Sequence, residues 1–104
     1  FELLGVKPAA KKCEAMAGLI KEAEEIIADT ERDSFVRDAG LLLAAQKVEH
    51  YEIATDGTLG ALADVLPERG VKKLLAQILQ NEKDTDAGLT RIAEQTVNAC
   101  AALE

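Results

Sequence analysis

The sequence predicts a single all-α domain with two long helices and one shorter helix. Apolar residues recur at spacings of three and four along most of the 104 residues, which is the periodicity of amphipathic helices. No segment alternates like a half-buried strand, and no Gly/Ser linker or internal repeat divides the chain. A chain of this length forms one domain with a modest core, which we assign to residues 1–104.

Helix 1, the shorter helix, is predicted from about Pro8 to Asp29. The FELLG segment before it is typical of the end of a helix, with Gly5 as the left-handed residue that stops it. Thr30 and Asp33 resemble a capping box, so helix 2 should begin within residues 30–34. The predicted apolar stripe of helix 1 consists of Cys13, Met16, Leu19, Ile20, Ala23, Ile26 and Ile27.

Helices 2 and 3 are the two long helices. Helix 2 should end near Leu66, because the residue before Pro67 avoids the helical region. Its two internal glycines, Gly57 and Gly60, either bend it or let a neighbour approach closely. Helix 3 should follow the turn at 67–70, continue to about residue 102 and lie antiparallel to helix 2. Its predicted stripe consists of Leu75, Ile78, Leu79, Glu82, Asp86, Leu89, Ile92, Ala93 and Thr96.

Each long helix carries a carboxylate within its apolar stripe. Glu49 lies at helical spacing from Leu42 and Ile53, and Glu82 lies at the middle of helix 3. A buried carboxylate without a partner is strongly destabilising, so each of these residues needs a cation. The two glutamates are separated from the connecting turn by nearly equal lengths of chain, so antiparallel helices should bring them level. Facing carboxylates predict a site for a divalent ion such as iron or manganese.

Three further side chains extend the predicted metal site. His50 and Glu52 lie on helix 2, and Asp86 lies one turn beyond Glu82 on helix 3. His50 is rotated about 100° from Glu49 on an ideal helix, so it is either a ligand or a hydrogen-bond partner of a neighbouring carboxylate. The alternative for the two stripe glutamates is a salt bridge, for which the candidate cations are Lys47, Lys83 and Arg91.

Composition excludes several classes of function. The net charge is -7 and the 12 basic residues are dispersed, which argues against nucleic acid or an anionic membrane as partner. Aromatic residues make up 3% of the chain, so stacking platforms for bases or sugars are absent. The single His has no nucleophile beside it, and no Gly-rich loop precedes a helix to bind phosphate.

The two cysteines and the hydropathy indicate the cellular setting. Cys13 and Cys100 form no CxxC motif, and we expect them to be small buried apolar residues. No apolar run approaches the ~20 residues that a membrane span requires. A reduced, cytoplasmic protein fits these features best.

Several separated strings resemble a known family. AKKCEAMAGLI, RDAGLLLAAQKVEHYEIA, GTLGALA and NEKDTDAGLT are similar, in this order, to the YciE/YciF family of bacterial ferritin-like proteins, and the similarity covers nearly the whole chain. The resemblance implies a four-helix bundle with an additional helical segment. It also implies a carboxylate-bridged di-metal centre, of iron or manganese, between the four bundle helices.

The resemblance further implies that this chain is incomplete. FELLG looks like the tail of the second bundle helix, helix 1 looks like the crossover helix, and helices 2 and 3 look like the last two bundle helices. Half of the metal site would then be present, with Glu49 as the bundle-facing glutamate of the EHYE string and Glu82 as that of the last helix. Two departures stand out: Asp56 replaces a common aromatic residue, and Asp86 follows Glu82 where better-known di-iron proteins have Glu-x-x-His.

Two functions of different class follow. The first is a ferritin-like metal-binding protein of the bacterial stress response, for which the sequence defines no substrate and leaves enzymatic activity open. The second is a helical assembly module without metal, whose polar interruptions set register and oligomeric state. In either case we expect a homodimer or higher homo-oligomer, because helix 1 can cover only one side of the long helix pair.

Overall fold

The computed structural model describes residues 1–104 and is all-α, as the sequence predicts. Three helices form the body of the chain: α1 (Glu14–Asp29), α2 (Phe35–Val65) and α3 (Arg69–Ile92). A π-helical turn (Ala93–Val97) joins α3 directly to a last short helix, α4 (Asn98–Ala101). A 3-10 turn at Glu2–Leu4 precedes these helices and contacts α3.

The start of α1 is the largest error in the predicted helix boundaries. Gly5 is left-handed with φ 64°, as expected, but the helix begins at Glu14 and not near Pro8. Cys13 is the N-cap, in an extended conformation, and its sulfur accepts a hydrogen bond from the Met16 amide at 3.4 Å. The two lysines before Cys13 would lie at the positive end of a longer helix, whereas Glu14 in the first turn suits that end.

Ser34 and Arg37 fix the corner between α1 and α2. Ser34, not Thr30, caps α2, and its Oγ accepts from the Arg37 amide at 3.1 Å. The Arg37 side chain donates to Thr30 Oγ1 at 3.0 Å and to the Ile27 carbonyl at 2.7 Å, so a cation occupies the negative end of α1. The N-cap Ser34 lies at the edge of the predicted range 30–34 and α2 itself begins one residue later, at Phe35, but the predicted capping box does not form.

The first amides of α2 have a second partner at the far end of the chain. Glu104 accepts hydrogen bonds from the amides of Phe35 and Val36, both at 3.0 Å. These amides have no partner within their own helix, and a carboxylate also suits the positive helix end. The residues that follow α4 are therefore held against the start of α2.

A close approach at Gly40 sets the packing of α1 on α2. A Cβ atom built on Gly40 would lie 2.6 Å from Cγ2 of Ile26, so only glycine fits without a shift. The stripe of α1 is accordingly rotated from the predicted one, with Ile20 52% and Ile27 48% exposed. Gly57 and Gly60 have no neighbour within 4 Å of such a Cβ, which excludes a close approach at these two glycines.

The π turn shifts the buried face at the end of α3. An extra residue in one turn rotates everything after it, and so the buried side chain is Val97, whereas the predicted stripe residue Thr96 is exposed. The predicted helix 3 therefore extends as far as expected, to within a residue of 102, but its final turns present a different face.

The arrangement leaves much apolar surface uncovered. Only four of 104 residues are buried, and the molecule measures 53 × 28 × 17 Å. Its thinnest dimension is less than two helix diameters of about 10–12 Å, and α1 contacts α2 but not α3, so α1 lies beside α2 and does not cover the α2/α3 pair. The sequence prediction of an under-covered helix pair agrees with this geometry.

Candidate metal centre

Glu82 is the one charged residue that the fold buries. It projects from the middle of α3, is 6% exposed, and its Oε2 atom has no hydrogen-bond partner. Neither Glu82 nor Glu49 takes part in any ion pair, and Lys47 instead binds Glu22 at 2.6 Å. The salt-bridge alternative for these two glutamates is therefore not what the structure contains.

Burial and neighbouring carboxylates together raise the pKa of Glu82 to about 7. Desolvation is the largest cause, followed by a hydrogen bond with Asp56, the charge of Asp56, and the charges of Glu52 and Glu49. No donor of this chain reaches Glu82 Oε2. Near neutral pH, Glu82 thus lies close to the balance between its charged and neutral forms.

Glu49 lies in the same interface and its pKa is also raised, first by desolvation and then by the charges of Glu52 and Asp86. The Gln46 side chain donates to Asp86 Oδ1 at 3.1 Å and to Thr90 Oγ1 at 2.8 Å, which fixes how α2 and α3 are aligned. His50, the residue after Glu49, lies 3.1 Å from Asp86, and the charge of Asp86 contributes to the raised pKa of Glu49, so this part of α2 lies opposite Asp86. The predicted level pair is displaced by about one turn.

His50 belongs to a polar network at the edge of the interface. Its Nε2 lies 3.1 Å from Asp86 Oδ1, the same oxygen that Gln46 contacts, and its side chain is 68% exposed. The alternative role for this histidine was a hydrogen bond to a neighbouring carboxylate, and the structure places it within ion-pair distance of Asp86. Asp86, 24% exposed, accepts a hydrogen bond from Gln46 and lies beside His50.

Asp56 is the site residue that the prediction missed. It lies on α2, and its hydrogen bond and charge contribute, after desolvation, to the raised pKa of Glu82. A signal was available, because Glu49, Glu52 and Asp56 occur at spacings of three and four and so share one helix face.

The carboxylates near Glu82 are of a type that binds divalent cations, but they do not form a closed set of ligands around one position. Glu82 has a buried oxygen atom that lacks a partner, the charges of Asp56, Glu52 and Glu49 raise its pKa, and a divalent ion would neutralise this repulsion. No group of three or more His, Cys, Asp or Glu side chains in this chain converges closely enough to hold a metal ion.

Cys13 corrects a further expectation. It is exposed, not buried, and its sulfur is hydrogen-bonded to the Tyr51 hydroxyl at 3.1 Å. That contact lowers the pKa of Cys13 and raises the pKa of Tyr51. Cys100 is half-buried. Tyr51 therefore ties the start of α1 to the middle of α2.

The sequence of this chain matches one known protein family along nearly its whole length. The model of the family described as "Domain of unknown function (DUF892)" matches residues 1–102. The chain belongs to the DUF892 family. Within this family it is 56% identical to YciF of Escherichia coli K12 over 87 residues, which are 84% of this chain and 52% of YciF. The resemblance inferred from the sequence strings is thus confirmed.

Solved DUF892-like structures have the same architecture. The crystal structure of the E. coli stress protein YciF matches with a TM-score of 0.81 and 52% identity, covering 89% of this chain and 58% of that one. YcfI from Rhodopseudomonas palustris matches with a TM-score of 0.82 and 42% identity, covering 86% and 57%. The chain spans about half the length of these relatives. None of its helices is both long enough and apolar enough to cross a membrane.

Proposed function

We propose that this DUF892 protein is a ferritin-like metal-binding protein of the bacterial stress response, with half of a carboxylate-bridged site for iron or manganese on α2 and α3. The observation that carries the proposal is Glu82, a buried carboxylate whose Oε2 has no partner among the side chains of its own chain. Retaining such a group lowers stability unless something else pairs with it. The stress-response part rests on similarity to YciF, which is described as a stress protein.

Glu82 and Glu49 are the primary ligands in this proposal, because each has a raised pKa and neither has a cation in the chain. Glu52 lies near both of them, whereas His50 and Asp86 would contribute at the edge of the site. A bound iron or manganese ion supplies Lewis acidity and one-electron redox chemistry. The chain itself supplies carboxylate oxygens held on rigid helices, and apolar neighbours that limit access of water.

A second copy of the chain is the partner that we propose. Large apolar residues are exposed on both α2 and α3, among them Leu43, Leu62 and Ile78, and extended apolar surface of this kind marks an interaction site. A two-fold axis would bring a second set of Glu49 and Glu82 towards the first. Sedimentation at micromolar concentration should give a dimer or larger, and a stable compact monomer of 11.1 kDa would refute self-association.

The test of metal binding is a titration of the metal-free protein with Mn²⁺, and with Fe²⁺ without oxygen. We expect about one or more ions per protomer. Glu82→Gln should abolish binding and keep the fold, because the amide fills the same space without a charge. No binding of either ion by the wild-type chain would refute the proposed function.

The alternative is a helical assembly module that binds no metal. It is supported by the extent of exposed apolar surface and by the similarity to YcfI, which has been suggested to be a structural protein. In that case the oligomer should form equally well in EDTA and with Mn²⁺. The cytoplasmic setting stays a prediction in both proposals.

A further inference from the structure

The three main helices of this chain lie in a single layer. α2 is in the middle, because it contacts both α1 and α3, whereas α1 and α3 do not contact each other. The molecule is accordingly 17 Å thick, which is less than two helix diameters of about 10–12 Å. Globular domains are normally built from at least two packed layers that share a hydrophobic core. With four residues buried, this layer has almost no core of its own.

One broad face of the layer is apolar and grooved. A groove of about 370 Å³ runs between α1 and α2, and a groove of about 350 Å³ runs between α2 and α3. Both grooves contain Leu41 and Ala45 of α2, so they open on the same side of the layer. We call this surface the grooved face, and its apolar lining includes Ile20, Ile27, Leu41, Ala45, Leu89 and Ile92.

The opposite face of the layer has no such grooves. Leu43, His50 and Ala61 are exposed, and they are rotated by about 180–200° from Leu41 on a helix of 3.6 residues per turn. None of these three residues lines a groove. Leu43 therefore lies on the side of α2 that faces away from both grooves.

We infer that a second copy of this chain stacks on the grooved face, so that two three-helix layers share one apolar core. The inference rests on the self-association in the proposed function, and it adds the surface and the mode of contact. It requires no metal ion.

The exposed area of the chain matches an interface of this kind. The chain exposes 7675 Å², whereas a compact monomer of 11.1 kDa exposes about 5,700 Å². The excess of about 2,000 Å² is larger than the area of about 800 Å² that each partner contributes to a stable complex. A face of 53 × 28 Å can supply that contact, whereas the edges of the layer are only 17 Å deep.

The shape of the grooved face suits a copy of itself. Ile20 on α1 and Ile92 on α3 border the grooves and are 52% and 53% exposed, whereas Ala44 on the floor is buried. Helices pack by placing ridges of large side chains into the grooves of a neighbour. A two-fold axis places the ridges of each copy in the grooves of the other, in a contact that is the same on both sides.

Charge distinguishes a second copy from a basic partner on the same face. Each copy has a net charge of -7, and Glu52 lies on the grooved face about three turns after Leu41. Two copies therefore repel each other, and raising NaCl from about 0.05 M to about 0.5 M should strengthen their association by screening this repulsion. A positively charged partner would instead be attracted, and salt would weaken its binding.

The first test is small-angle X-ray scattering of the full chain at a concentration where sedimentation gives a dimer. The radius of gyration of one copy is 17.2 Å, and stacking two layers about 10 Å apart should raise it only to about 18 Å. Contact through the edges would separate the centres by about the 28 Å width of the molecule and give about 22 Å or more. A dimer with the larger value would overturn the inference and leave self-association standing.

The second test places a charge on either face of the layer. Ile92→Glu should weaken dimerisation by about tenfold or more, because it buries a carboxylate in the apolar contact. Ile20→Glu, at the other groove, should have the same effect. Leu43→Glu is the matched control, because Leu43 is also 53% exposed but lies on the opposite face, and this variant should stay within about threefold of wild type.

The outcomes separate the inference from the function on which it rests. If Leu43→Glu abolishes the dimer and Ile92→Glu does not, the grooved face is wrong and self-association stands. A dimer that salt weakens would also contradict apolar stacking. Should Ile92→Glu lose its helical circular dichroism, Ile92→Ala replaces it and should still weaken the dimer. If wild type is a monomer at micromolar concentration, self-association and stacking both fail, whereas the Mn²⁺ titration decides metal binding separately.

Discussion

The metal-free protein should become more stable as the pH falls from 7.5 to 5, and Glu82 should carry most of the effect. Its pKa is about 7 in the folded chain, against 4.5 in the unfolded chain. The folded state therefore binds more protons than the unfolded state between these two values, so stability falls as pH rises through this window. The destabilisation is complete above pH 7 and is relieved as Glu82 becomes protonated.

The size of the effect follows from the pKa difference. One pKa unit corresponds to about 1.4 kcal/mol, so the raised pKa of Glu82 amounts to about 3 kcal/mol at most. For a domain of about 100 residues, at about 5 °C per kcal/mol, that is a rise in melting temperature of roughly 15 °C.

The assay is urea or thermal unfolding in EDTA, followed by circular dichroism between pH 7.5 and 5.0. Glu82→Gln should be more stable than wild type at pH 7.5 and should lose most of the pH dependence in this range. Asp84→Asn, which removes an exposed charge from the same helix, should keep the wild-type profile. Superimposable profiles for wild type and Glu82→Gln would refute the reasoning, since they would mean that the buried carboxyl has an ordinary pKa.

Three further predictions concern the same interface and the α1/α2 corner. Mn²⁺ should invert the pH profile of wild type, because protons then compete with the ion for carboxylates; identical profiles with and without Mn²⁺ would exclude such a site. Glu49→Leu should raise the metal-free melting temperature and abolish Mn²⁺ binding, because it replaces a half-buried carboxylate by an apolar residue; such a replacement is often stabilising by about 1–4 kcal/mol for a fully buried charge and should contribute less here. An unfolded variant would instead indicate a structural role for Glu49. Gly40→Ala should destabilise the chain by about 1–3 kcal/mol in urea unfolding, because its Cβ would overlap Ile26, whereas Gly57→Ala meets nothing and should be neutral or stabilising.

The candidate site was predictable in its residue types and not in its geometry. Helical spacing identified Glu49 and Glu82 as carboxylates on buried faces, and Glu82 is indeed buried. Counting residues from the connection between α2 and α3 misjudged the relative alignment of these helices by about one helical turn. The alignment is set by side-chain contacts such as that of Gln46 with Asp86. Asp56 was missed as the neighbour of Glu82 for the same reason.

Local signals alone determined the helical class, the break at Pro67 and the left-handed Gly5, because periodicity, proline geometry and glycine freedom act within a few residues. Tertiary structure decided which side chains meet. Cys13 at the start of α1 meets Tyr51 of α2, and the alignment of α2 with α3 depends on contacts between distant segments. Whether a side chain is buried depends on the segments that pack around it. The pKa of Glu82 is raised because packing against α2 removes water from it and adds the charges of Asp56, Glu52 and Glu49.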